Sequence, residues 1–214
     1  MKAFFEKYPH IKYVIQFLLI YVFIFLILEN WDNRVYYTTD SWIDQYIPFN
    51  EYFVIPYLFW FIYIALGFIY FIFIDQKGFK RTCFYLFVGM FTCLIIYMIW
   101  PNQQNLRVNL NNTNIFQTLV SFIYTIDSPT NVCPSIHVYN SIMMMIYLFK
   151  SECMKNHKLL SVINIIIAVL ICLSTMFIKQ HAFVDVVLAI VLCIVIYNIG
   201  KNQQIAQYLE KDFS

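Results

Sequence analysis

Six apolar runs, near residues 13–28, 53–74, 82–100, 138–149, 159–178 and 182–199, set the terms on which this chain can fold. A helix needs about 20 mostly apolar residues to cross the hydrocarbon of a bilayer. The fourth run is the shortest and gains length by extending into residues 150–153. With 61% hydrophobic and 12% charged residues, the chain has too little polar surface for a soluble domain. The expectation is an all-α, integral membrane six-helix bundle, read as a single domain over 1–214. The first run is too long and too rich in Phe, Ile and Leu for a cleaved signal peptide and lacks a small-residue cleavage site, so it is expected to stay as a helix.

Lys and Arg set the orientation of such a bundle. With the N-terminus inside, eleven of them fall on inner segments: Lys2, Lys7, Lys12, Lys77, Lys80, Arg81, Lys150, Lys155, Lys158, Lys201 and Lys211. Only Arg34, Arg107 and Lys179 fall outside. Both termini are therefore expected in the cytoplasm, in a protein of the cell membrane. The formal charge of +2 carries no further message, and without a basic stripe no nucleic-acid partner is expected. Four of the six cysteines (Cys83, Cys93, Cys172, Cys193) lie in apolar runs, Cys153 is on the inner side, and no Cys-x-x-Cys spacing exists. They read as small core hydrophobes.

The outer connections are long enough to hold short helices in the interface. Trp42, Ile43, Tyr46 and Ile47 fall at helical spacing after Asp40-Ser41, and Pro48 should end that helix. Residues 101–133 form the longest connection. Its second half, from Ile115 to Ile126 after Asn114, has the period of an amphipathic helix able to roof a site. On the inner side, Asp75-Gln76-Lys77-Gly78 reads as a turn, the basic lead-in of residues 1–12 as a surface segment, and His10 and His157 as surface residues.

Two polar knots interrupt this apolar text on the same outer side. Lys179-Gln180-His181-Ala182-Phe183-Val184-Asp185 separates the last two runs, and a helix there would put His181 and Asp185 on one face. An imidazole held by a carboxylate keeps one ring nitrogen protonated and turns the other outward as a nucleophile or base. Alone, the pair reads equally well as a polar helix end. The second knot, Cys133-Pro134-Ser135-Ile136-His137, opens the fourth run and supplies a second imidazole. If Ser135 and the following N–H groups open a helix, they form an anion site.

Together, Pro134-Ser135-x-His137 and His181-x-x-x-Asp185 resemble the second and third motifs of the type 2 phosphatidic acid phosphatase (PAP2) superfamily, over roughly the second half of the chain. The resemblance implies that His181 attacks phosphorus, Asp185 orients it, and His137 protonates the leaving group. No metal or other cofactor is implied. Ile136 stands where the second motif usually has Gly, and Thr175 where the third has Arg. Trp100 and Val108 depart from the first motif around Arg107. Lys179 is expected to replace the missing Arg, in a form similar to the branch related to inositol phosphorylceramide synthases. The expected phosphate-binding set is thus Ser135, Lys179 and Arg107.

The function implied is a membrane lipid phosphatase or phosphotransferase acting on a lipid with a phosphate headgroup, through a phosphohistidine, at the outer face. The alternatives are an inositol-phosphate-type headgroup transferase and a non-catalytic lipid-binding membrane protein. The sequence leaves the oligomeric state open.

Overall fold

The computed structural model describes residues 8, 10–31 and 34–210. Lys2, Lys7 and Lys211 of the inner charge count, and most of the lead-in of residues 1–12, lie outside the described residues. The chain is mainly helical. Its longer helices are α1 (Ile11–Glu29), α2 (Val54–Phe73), α3 (Gln76–Ile99), α4 (Ile115–Ile126), α5 (Ile136–Lys150), α7 (Lys158–Phe177) and α8 (Phe183–Ile199). The short α6 (Glu152–Asn156) and α9 (Gln203–Glu210) follow the C-terminal ends of α5 and α8.

Among the described residues, four segments are long and apolar enough to cross a membrane: Ile11–Glu29, Glu51–Phe73, Gly78–Ile99 and Lys158–Phe177. They mark the protein as integral to a membrane. A fifth is reached if α8 and α9, bent by 86°, count as one span. The fourth run of the sequence becomes α5, only 15 residues long.

Burial explains why α5 is the least apolar of the expected spans. It packs against α2, α3, α7 and α8, and Val138, Tyr139, Asn140, Ser141, Met143 and Met144 are all buried. A helix surrounded by protein needs no lipid-compatible face, so Asn and Ser are tolerated there. The peripheral α1 shows the opposite, with Leu19 and Phe23 about two-thirds exposed. Two glycines let α5 approach its neighbours. A Cβ on Gly89 of α3 would fall 1.9 Å from the Tyr139 ring, and one on Gly67 of α2 would fall 2.3 Å from the Met144 sulfur. Polar contacts add specificity: the Tyr63 hydroxyl of α2 donates to Asn164 of α7 at 2.8 Å, and the Asn164 amide donates to the Met145 carbonyl of α5.

Three details differ from the sequence reading. Residues 76–78 are the first turn of α3 rather than a free turn, because the Asp75 side chain caps the helix by accepting from Gly78 N–H at 3.0 Å. His10 is buried, its ring 4.6 Å from that of Phe79. The outer connections are not purely helical: β1 (Tyr37–Thr38) pairs in parallel with β2 (Asn102–Gln103), a contact too short for sequence alternation to reveal. The expected interfacial helix after Ser41 is a single 3-10 turn, Trp42–Gln45, closed by a Ser41–Asp44 capping box. α4 starts where expected, with Asn114 accepting from Gln117 N–H. Its Val120 and Ile123 pack with Val54, Tyr57 and Ile178, over the start of α2 and the end of α7.

Candidate active site

Each of the two motif segments opens a helix, and the two openings are joined. Ser135 is the N-cap of α5, its hydroxyl facing Val138 N–H at 3.4 Å. Its own N–H donates to the Asp185 carbonyl at 3.1 Å. Upstream, the buried side chain of Asn102 accepts from Val132 and Cys133 N–H and donates to the Cys133 carbonyl. The segment leading into Ser135 is thereby fixed from the C-terminal end of α3.

His181 precedes α8, and its Nδ1 lies 3.3 Å from Asp185 Oδ2. The same oxygen accepts from Ala182 N–H at 2.9 Å, so the carboxylate both caps the helix and holds the ring. With the hydrogen on Nδ1, Nε2 is left as the free lone pair. Asp185 is fully buried, and its Oδ1 has no hydrogen-bond partner among the described residues. The Cys133 thiol is adjacent, and burial with this negative neighbour raises its pKa, keeping it protonated.

His137 faces His181 with ring centroids 5.8 Å apart. Tyr57 stacks on it at 4.8 Å and Trp60 lies at 4.4 Å. Both imidazoles line one cavity of about 330 Å³. Its wall includes Trp60 and Phe61 of α2, Phe122 and Ile126 of α4, and Asp127 and Gln180. Phe61, Phe122 and Ile126 are each more than half exposed, so the wall runs from the imidazoles to an apolar stretch of the outside of the bundle.

The structure brings His137, His181 and Asp185 together but points the expected cations elsewhere. Lys179, in the left-handed region at φ 56°, sends its ammonium to the carbonyls of Asp44 (3.0 Å) and Ile47 (2.5 Å). Burial lowers its pKa, against the pull of Asp44. Arg107 donates to the carbonyls of Tyr124 and Asp127 and to Gln180 Oε1 at 2.7 Å. Its pKa is also lowered by burial. Arg34 caps the end of α3 through the Tyr97 and Met98 carbonyls. Ser135 is fully buried in its capping role. Neither it nor any Lys or Arg among the described residues lines the cavity.

Several residues that the sequence did not single out complete the site. Asp127, just after α4, lines the cavity, where its Oδ2 accepts from Tyr57 O–H at 3.1 Å and Gln180 Nε2 at 3.0 Å. Asp44 accepts from Phe183 N–H at 2.7 Å, capping α8 from the first outer loop. The Ser41-x-x-Asp44 spacing was the one local signal for Asp44; Gln180 had none beyond its place beside His181.

A family model described as the PAP2 superfamily matches residues 89–207, more than half of the chain. No curated protein and no solved structure matches it.

Proposed function

The chain belongs to the PAP2 superfamily, and from that premise we propose a membrane lipid phosphatase or phosphotransferase that works through a phosphohistidine. Membership supports activity on phosphate esters; the residues assign the parts. His181 Nε2 attacks phosphorus, a new P–N bond forms, and the ester P–O bond breaks. His137 donates the proton that lets the departing oxygen leave as an alcohol. Water, or another alcohol deprotonated by His137, then displaces the imidazole and frees the phosphoryl group. Asp185 holds the His181 tautomer and offsets positive charge on the ring.

The observation that carries this reading is the pair of imidazoles on one cavity, one of them backed by a buried carboxylate, with a wall that runs to exposed apolar side chains. Phosphate contacts are assigned to the first-turn N–H groups of α5 at Ile136 and His137, which a helix start leaves without intrahelical acceptors. Ser135 supports them as the cap. Lys179 and Arg107 support the site by holding the segments that flank it.

The topology proposed with this function is six spans, with α5 and α8 as short spans whose outer ends lie at the site. Both termini are cytoplasmic and the site faces outward at the cell membrane, as the distribution of Lys and Arg favours. Purified protein should release product from a phosphate-bearing lipid, and His181→Ala should not. Equal product from the variant would remove the reading.

A further inference from the structure

The geometry points to a headgroup subsite for a positively charged ammonium, built around Asp127 beside the two imidazoles. This rests on the reading of the cavity as a lipid phosphoester site. Of the two Asp127 carboxylate oxygens, Oδ2 takes Tyr57 O–H and Gln180 Nε2, while Oδ1 has no partner among the described residues. Arg107 is the nearest cation in the network, but its hydrogen bonds go to the Asp127 main-chain carbonyl, the Tyr124 carbonyl and Gln180. No ion pair reaches the Asp127 carboxylate among the described residues. Arg107 is close enough to feel the Asp127 charge but leaves its Oδ1 unbonded, and a carboxylate oxygen left open in an apolar cavity marks a place for a cation that arrives with the ligand.

The rest of the wall matches such a partner. Tyr57 spends its hydroxyl on Asp127 and Tyr97 spends its own on the Pro134 carbonyl at 2.6 Å, so both offer the cavity ring surface rather than donors. Trp60 stands next to them against His137. Aromatic faces with a carboxylate receive an alkylammonium, whose charge is diffuse and whose methyl or methylene groups need apolar contact. A second carboxylate, Glu29, stands behind the lining and accepts from Ser128 and Asn131, both of which line the cavity. A phosphate monoester, with more negative charge and no cation, would meet Asp127 as a like charge. A zwitterionic phosphodiester instead puts its phosphate at His181 and its ammonium at Asp127.

The test uses the full chain in detergent and four lipids with the same acyl chains: phosphatidylcholine, phosphatidylethanolamine, phosphatidylglycerol and phosphatidic acid. Turnover is read as loss of intact lipid, and binding as tryptophan fluorescence of the His181→Ala protein. The two ammonium lipids should exceed phosphatidylglycerol by about tenfold or more, the scale of a charge-assisted contact with aromatic support. Asp127→Asn, which keeps an acceptor for Tyr57, should abolish that ratio, and Asp127→Glu should keep part of it. Phosphatidylglycerol or phosphatidic acid equal to the ammonium lipids, or a preference that survives Asp127→Asn, overturns the subsite. Selective binding without turnover leaves the subsite standing and overturns the catalytic reading. Turnover without selectivity does the reverse, and neither turnover nor selectivity overturns both.

Discussion

The N–H of Ser135 donates to the carbonyl of Asp185 at 3.1 Å, fastening the start of α5 to the first turn of α8. Each helix carries one motif, so this main-chain bond sets the separation of His137 from His181 independently of either side chain. The site is a junction of two helix N-termini, and what holds the junction matters as much as the imidazoles.

Asp44 is the outer clamp of that junction. Its carboxylate takes Phe183 N–H and its carbonyl takes the Lys179 ammonium. Asp44→Ala leaves a helix-start N–H without its acceptor, a loss of about 1–3 kcal/mol. We expect a lower thermal midpoint in detergent and a fall in kcat with KM nearly unchanged, because substrate does not touch the residue. A variant with wild-type kcat would show that α8 keeps its start without this clamp.

Lys179 separates two accounts of the missing motif arginine. If its ammonium holds the 44–47 carbonyls, as the hydrogen bonds have it, Lys179→Met lowers stability and kcat together, and Lys179→Arg restores part of both. If it grips phosphate, KM rises while stability holds. Unfolding midpoints measured beside steady-state kinetics decide between the two.

His137→Ala should slow cleavage of alkyl esters by about two to four powers of ten, the usual worth of a positioned proton donor. An aryl phosphate, whose leaving group needs no proton, should lose far less. Equal losses for both ester types would take the acid role away from His137.

Gly89→Ala tests the packing of α5. The added carbon would sit 1.9 Å from the Tyr139 ring, whose hydroxyl donates to the Tyr85 carbonyl at 2.6 Å. Displacing that ring should cost about 1–3 kcal/mol, read as a lower midpoint of thermal unfolding. An unchanged midpoint would mean that α3 and α5 can separate freely.

The proposed orientation is checked by cysteines introduced at Asn112 and Asn156 and an impermeant thiol reagent applied to intact cells. The first should react and the second should not. Labelling at Asn156 alone would invert the topology.

The sequence made the helices legible because lipid exposure demands long apolar runs, and α1, α2, α3 and α7 answer to that demand. It made α5 harder to read because its neighbours are protein, which relaxes the demand. His137, His181 and Asp185 could be found because each lies at or just before the start of a helix, and the last two are only four residues apart although His181 itself precedes α8. Lys179, Arg107 and Asp44 could not be placed, since each bonds to main-chain groups of a loop far away in sequence. Carbonyl acceptors exist at every residue and leave no signature in the side chains. Asp127 follows α4, and the packing of that helix over α2 brings it to the cavity, a tertiary relation that no local pattern encodes.

The central claim is that His181 carries the phosphoryl group between the two half-reactions. It is tested most directly by mixing the protein with lipid labelled at phosphorus, quenching in alkali and mapping the label by mass spectrometry. The account predicts label on His181 in the wild type and none in His181→Ala. It also predicts more label in His137→Ala given an aryl phosphate, because water then lacks its base. Equal label in the His181→Ala protein, or an active wild type that never holds label, would contradict it.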